Sequence, residues 1–140
     1  MNNQTPRQLK RLGMFLFLVG LITGFFIMNF TNPKMALAAH LEGVMNGTFL
    51  VVAGFIWKEL QITDRLRKIL YGTILYGTFA NWFFSLLSAV FGTSNTTPLS
   101  GAGYTGTPIQ ETLVTAGLAS VGITMVFSLV VIVYGLRGKN

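Results

Sequence analysis

Four stretches of this 140-residue chain are long and apolar enough to cross a bilayer, and its charges lie almost entirely between them. A span needs about 20 mostly apolar residues, at 1.5 Å rise, to cross about 30 Å of hydrocarbon. The qualifying stretches are about 12–30, 35–57, 69–91 and 112–136. Backbone polar groups in lipid must be satisfied within the segment, so each stretch reads as a helix. The expected fold is all-α, a single polytopic four-helix domain over residues 1–140. Only 10% of residues are charged and 51% are hydrophobic, against about 25% charged in an ordinary soluble domain. That excludes disorder, a nucleic-acid-binding arm and a charged cytosolic enzyme.

The loops carry the orientation. Arg7, Lys10 and Arg11 precede the first span, Lys58, Arg65, Arg67 and Lys68 lie between the second and third, and Arg137 and Lys139 follow the fourth. Lys34 stands alone on the other side. The positive-inside rule then places both termini in the cytoplasm, so the net charge of +6 is a topology signal before it is a partner signal. Ala36-Leu37-Ala38 resembles a leader cleavage motif, but the preceding apolar run is longer than the 7–15 residues of a leader's core. The expected location is a bacterial cytoplasmic (inner) membrane. The outer segment 92–111 is long and rich in Gly, Thr, Ser and Pro, a composition that suits a lid, a binding loop or a disordered link.

Ionisable groups inside a span are costly and mark function by default. With no cysteine and one histidine, thiolate, disulfide, iron–sulfur and multi-histidine metal chemistry within one chain are excluded. What remains is His40, Glu42 and Asn46 on the second span and Asn81 on the third. Counting from the outer boundary puts Asn46 and Asn81 at one level, roughly 15–17 Å deep. His40, Glu42 and Ser85 share a shallower level. Glu42 and Asn46 share a helix face, whereas His40 points about 160° away, with Gly43 and Gly47. Opposed polar faces on one helix suit a cyclic oligomer, where each pocket draws a face from each of two neighbours.

Each residue has a plain and a sharp reading. His40 is either a hydrogen-bonded buried imidazole or an axial ligand, with Gly43 and Gly47 leaving room for a flat macrocycle; a lone histidine leaves the iron's sixth position open. Glu42 is either a structural carboxyl, paired for instance with Lys34, or a proton carrier. Asn46 and Asn81 either bond each other or orient a substrate. The motifs Gly20-x-x-x-Gly24 and Gly43-x-x-x-Gly47 are expected to pack helices. Phe79, Trp82, Phe83 and Phe84 are either packing residues or a wall for an aromatic ring. A small transporter lined by Glu42 and the asparagines is the rival function.

The run 32–47, containing His40-Leu41-Glu42-Gly43-Val44-Met45-Asn46-Gly47, and the run Leu75-Tyr76-Gly77-Thr78-Phe79-Ala80-Asn81-Trp82 resemble the hydroxylaminobenzene mutases. The similarity extends from about Arg11 to Arg137. It implies a small membrane enzyme that converts hydroxylaminobenzene, a small aromatic substrate, to 2-aminophenol. More distantly the chain is similar to styrene oxide isomerase, which implies a homotrimer holding haem b between subunits. On that resemblance ferric iron is the Lewis acid, His40 its axial ligand, and Asn46 and Asn81 neighbours of the open face. The chain departs from the isomerase pattern at Ser85, Gly77 and Glu42, which favours the mutase branch, with Glu42, Asn46 and Asn81 as catalytic residues.

Overall fold

The computed structural model describes residues 4–138; Lys139, counted above toward the charge asymmetry, lies outside the described residues. The elements are α1 (Gln4–Phe25), a 3-10 turn (Ile27–Asn29), α2 (Pro33–Ile56), α3 (Asp64–Phe91) and α4 (Pro108–Gly135), with no strand among the described residues. All four helices are long and apolar enough to span a membrane. The expected all-α, four-span architecture is therefore present.

Helix ends follow local chemistry rather than hydropathy. α1 starts well before its apolar run, because the polar segment ahead of that run is itself made mostly of good helix formers. At the far end it stops short of the expected boundary, where the chain tightens into the 3-10 turn. Asn32 caps α2, its Oδ1 accepting from the N–H of Lys34 (3.0 Å) and Met35 (3.2 Å), with Pro33 in the first turn. Thr63 caps α3, with Asp64 in the first turn favouring the positive end of the helix dipole. Thr107 and Gln110 form a capping box that starts α4 inside the stretch expected to be loop. α3 ends on Gly92, whose φ of 66° is the left-handed conformation that glycine adopts without a Cβ penalty.

The helices pack in chain order: α1 on α2, α2 on α3 and α3 on α4. Glycines set the first contact. A Cβ on Gly20 would lie 2.7 Å from the backbone of Gly43 and Val44, and one on Gly47 would lie 2.5 Å from Phe17 N. Small residues thus let the two backbones touch, which is how helices associate where lipid removes the hydrophobic drive. Leu9, Leu16, Leu50, Trp57, Leu70, Ile74 and Ile132 form the main core. The outer faces remain apolar: Ile123 and Val133 on α4 are 75% and 71% exposed, as suits helices solvated by lipid.

The two ends are built differently. At the basic end, the Arg67 guanidinium donates to the carbonyls of Trp57 (2.7 Å) and Leu60 (2.6 Å), tying the α2–α3 connection to α3. At the opposite end, the segment between α3 and α4 is clipped down. The buried Glu111 carboxylate accepts from the N–H groups of Ser94, Asn95 and Gly106, each at 3.0 Å. Asn32 Nδ2 adds a bond to Ser100 O at 2.9 Å. Of the three expectations for this loop, the structure has it folded and hydrogen-bonded onto the bundle.

Candidate active site

Glu42 is the centre of the polar cluster. Asn46, one turn further along α2, donates from Nδ2 to Glu42 Oε2 at 3.1 Å. Asn81 reaches across from α3 and donates from its own Nδ2 to the same oxygen. The asparagines therefore meet at the carboxylate rather than bonding each other, and Glu42 turns to them rather than to Lys34. Since each amide donates through nitrogen, its carbonyl Oδ1 faces the other way. The second Glu42 oxygen and both amide oxygens have no hydrogen-bond partner among the described residues, and none is sealed from the surface. In hydrocarbon, open acceptors of this kind call for a partner from outside the chain.

His40 belongs to a different groove. Its Nδ1 lies 2.8 Å from the carbonyl oxygen of Gly20 on α1. A carbonyl only accepts, so Nδ1 carries the proton, and in the neutral ring Nε2 holds the lone pair. Gly24, the other half of the Gly20-x-x-x-Gly24 motif, makes room for the ring: a Cβ there would sit 2.7 Å from Nδ1. Half-buried His40 thus lies against α1, and Glu42 lies against α3 on the other side of α2. The opposed faces expected from the helix wheel are opposed grooves in the fold.

Gly43 and Gly47 pack helices, the first of the two roles expected of them, rather than backing a macrocycle. A Cβ on Gly43 would fall 2.5 Å from Gly20 Cα, and one on Gly47 would fall 2.7 Å from Gly13 O. Both are filled by α1, so no space is left at either for a flat macrocycle. The residues that could hold a haem reduce to His40 itself. It fits one bond to a haem iron: the Gly20 carbonyl orients the ring, and Nε2 is not enclosed and has no partner among the described residues. Among the described residues no three His, Cys, Asp or Glu side chains gather to hold a metal ion on their own.

The aromatics flanking Asn81 do not form one wall. Trp82 Nε1 donates to Thr23 Oγ1 on α1 at 3.2 Å, and its ring edge lies against Gly43. Phe84 packs into the space left by Gly117 on α4. Phe79 packs against the main core, and Phe83 faces outward, 47% exposed. Ser85 is buried. Thr23 was not singled out in the sequence; it accepts from Trp82 while donating to Val19 O at 2.9 Å. A threonine on an apolar helix carries no signal of its own until the partner helix is known.

Comparison with known proteins bears on the whole chain. A family model described as styrene oxide isomerase matches residues 5–137. Hydroxylaminobenzene mutase HabB of Ectopseudomonas oleovorans is 40% identical over 132 residues, covering 94% of this chain and 80% of that one. Hydroxylaminobenzene mutase HabA of the same organism is 34% identical over 125 residues, covering 89% and 93%. No solved structure matches.

Proposed function

The chain belongs to the styrene oxide isomerase family, an isomerase family of the membrane, and on that basis we propose that it rearranges an arylhydroxylamine to an ortho-aminophenol. The reaction is hydroxylaminobenzene to 2-aminophenol. The N–O bond breaks, a C–O bond forms at the ortho carbon, the ring proton leaves and nitrogen gains one. No electron enters or leaves. The observation that carries the reading is the carboxylate with two amides fixed on one of its oxygens, beside open acceptors on all three residues.

The chain's own residues divide the work. Asn46 Oδ1 and Asn81 Oδ1 accept from the N–H and O–H of the hydroxylamino group and fix its direction. Glu42 holds or receives the proton at its unengaged oxygen, Oε1, while Oε2 is held by the asparagines. The aromatic ring partitions into the bilayer and reaches the cluster from lipid. A haem held by His40 Nε2 would supply, when bound, Lewis-acid chemistry toward the hydroxylamino group. His40 and Glu42 occupy separate grooves, which supports a site shared by neighbouring copies in a homotrimer, His40 from one and the Glu42 cluster from the next. The charge asymmetry and the bacterial relatives support a bacterial cytoplasmic membrane with the basic end inside.

Epoxide isomerisation is the second reading, favoured by the description of the matching family. Turnover by detergent-purified, haem-loaded protein separates the two. Conversion of hydroxylaminobenzene to 2-aminophenol is expected, with little conversion of styrene oxide to an aldehyde. The reverse preference overturns the mutase reading.

A further inference from the structure

At the basic end, α1 and α3 both pack on α2 and meet each other through side chains, with Tyr71 Oη donating to Gln8 Oε1 at 3.3 Å. Beside that contact lies a cleft of about 410 Å³ lined by Gln8, Arg11, Leu12, Phe15 and Tyr71. Its lining has two zones. Gln8, Arg11 and the Tyr71 hydroxyl offer charge and hydrogen bonds, while Leu12 and Phe15 continue along α1 into the apolar span. Arg7 lies one turn before Arg11 and Lys68 one turn before Tyr71, so both flank the cleft by helical spacing.

Three other cations at this end are engaged elsewhere. Arg67 clamps two carbonyls, Lys10 lies over the Phe55 ring at 4.7 Å, and Arg137 lies over Tyr134 at 3.5 Å. Arg7, Arg11 and Lys68 are exposed around the cleft. A guanidinium at the edge of hydrocarbon is matched by a phosphodiester, to which it donates in a fork. Free phosphate would satisfy the arginine but leave Leu12 and Phe15 without an occupant. A lipid satisfies both zones, because its phosphate and acyl chain are joined at the same depth.

We propose that the α1–α3 cleft is a binding site for an acidic phospholipid, its headgroup phosphate on Arg11 and the start of an acyl chain on Leu12 and Phe15. The site lies away from the Glu42 cluster and does not depend on the reaction assigned above. A basic side chain near the headgroup plane contributes about 1 kcal/mol toward an anionic lipid, roughly a fivefold preference.

The test is native mass spectrometry of the detergent-purified full chain, titrated with phosphatidylglycerol and with phosphatidylcholine. Wild-type protein is expected to retain the acidic lipid several-fold better. Arg11→Gln should lower that ratio about fivefold, while Lys34→Gln at the opposite end should leave it unchanged. Should Arg11→Gln fail to fold by circular dichroism, Arg11→Lys serves instead, with partial loss expected because charge remains and the fork does not. An unchanged ratio in the Arg11 variant overturns the proposal. So does full displacement of the lipid by millimolar inorganic phosphate, which would make the cleft a phosphate site.

Discussion

Glu42 accepts two amides on one oxygen, and that arrangement sets what a conservative change should do. Glu42→Gln keeps a carbonyl that can still accept from Asn46 or Asn81, so the fold should survive. It removes the proton carrier, and turnover of hydroxylaminobenzene should fall by about 10²- to 10⁴-fold, the usual worth of a general acid or base. Wild-type turnover in a folded Glu42→Gln protein would remove Glu42 from the chemistry. His40 makes a separate prediction. His40→Ala should abolish the Soret absorption of haem-loaded protein, and added imidazole should restore part of it through the space left beside Gly24. A Soret band unchanged in His40→Ala would move the ligand elsewhere.

Among the elements, the α1–α2 pair depends most on single residues. Gly43→Ala places a Cβ 2.5 Å from the Gly20 Cα, backbone that cannot yield locally. The helices must separate, at a cost of roughly 1–3 kcal/mol, read as a lower thermal midpoint in detergent. Because His40 bonds the Gly20 carbonyl across this same contact, haem retention should weaken in parallel. The loop depends on Glu111 in the same way. Glu111→Ala leaves the part-buried N–H groups of Ser94, Asn95 and Gly106 without their acceptor, at about 1 kcal/mol for such a loss. Proteolysis should then begin within 94–106, where the wild-type loop resists. Equal cleavage of both proteins would mean that the loop does not depend on that carboxylate.

For the whole molecule, the decisive question is whether His40 and Glu42 serve one site from two copies. Mixing the inactive His40→Ala and Glu42→Gln proteins answers it. In a cyclic oligomer with sites between neighbours, random mixing restores about one quarter of the sites, each from an intact His40 beside an intact Glu42. A site contained within one chain would recover nothing. The apolar outer faces of α1 and α4 are compatible with lipid or with a neighbour, so the recovered fraction, and not exposure, is the discriminating measurement.

Much of this architecture is legible in the residues alone. Four apolar runs specify four helices because hydrocarbon leaves the backbone no alternative. The helix period alone places His40 and Glu42 on different faces of α2. Which neighbour each face meets is a matter of tertiary packing. Gly43 and Gly47 offer the same smooth surface to a macrocycle as to a helix, and only the approach of α1 decides between them. Asn81 and Asn46 sit at one depth by counting, yet only the separation of α2 and α3 makes Glu42, rather than each other, their shared partner. Glu111 reads as one charge in a polar loop until the fold brings it the N–H groups of Ser94 and Asn95, 17 and 16 residues away, beside that of Gly106. Sequence determines periodicity and depth, because these are set along one chain axis; partner choice depends on the distances between axes, which only packing sets.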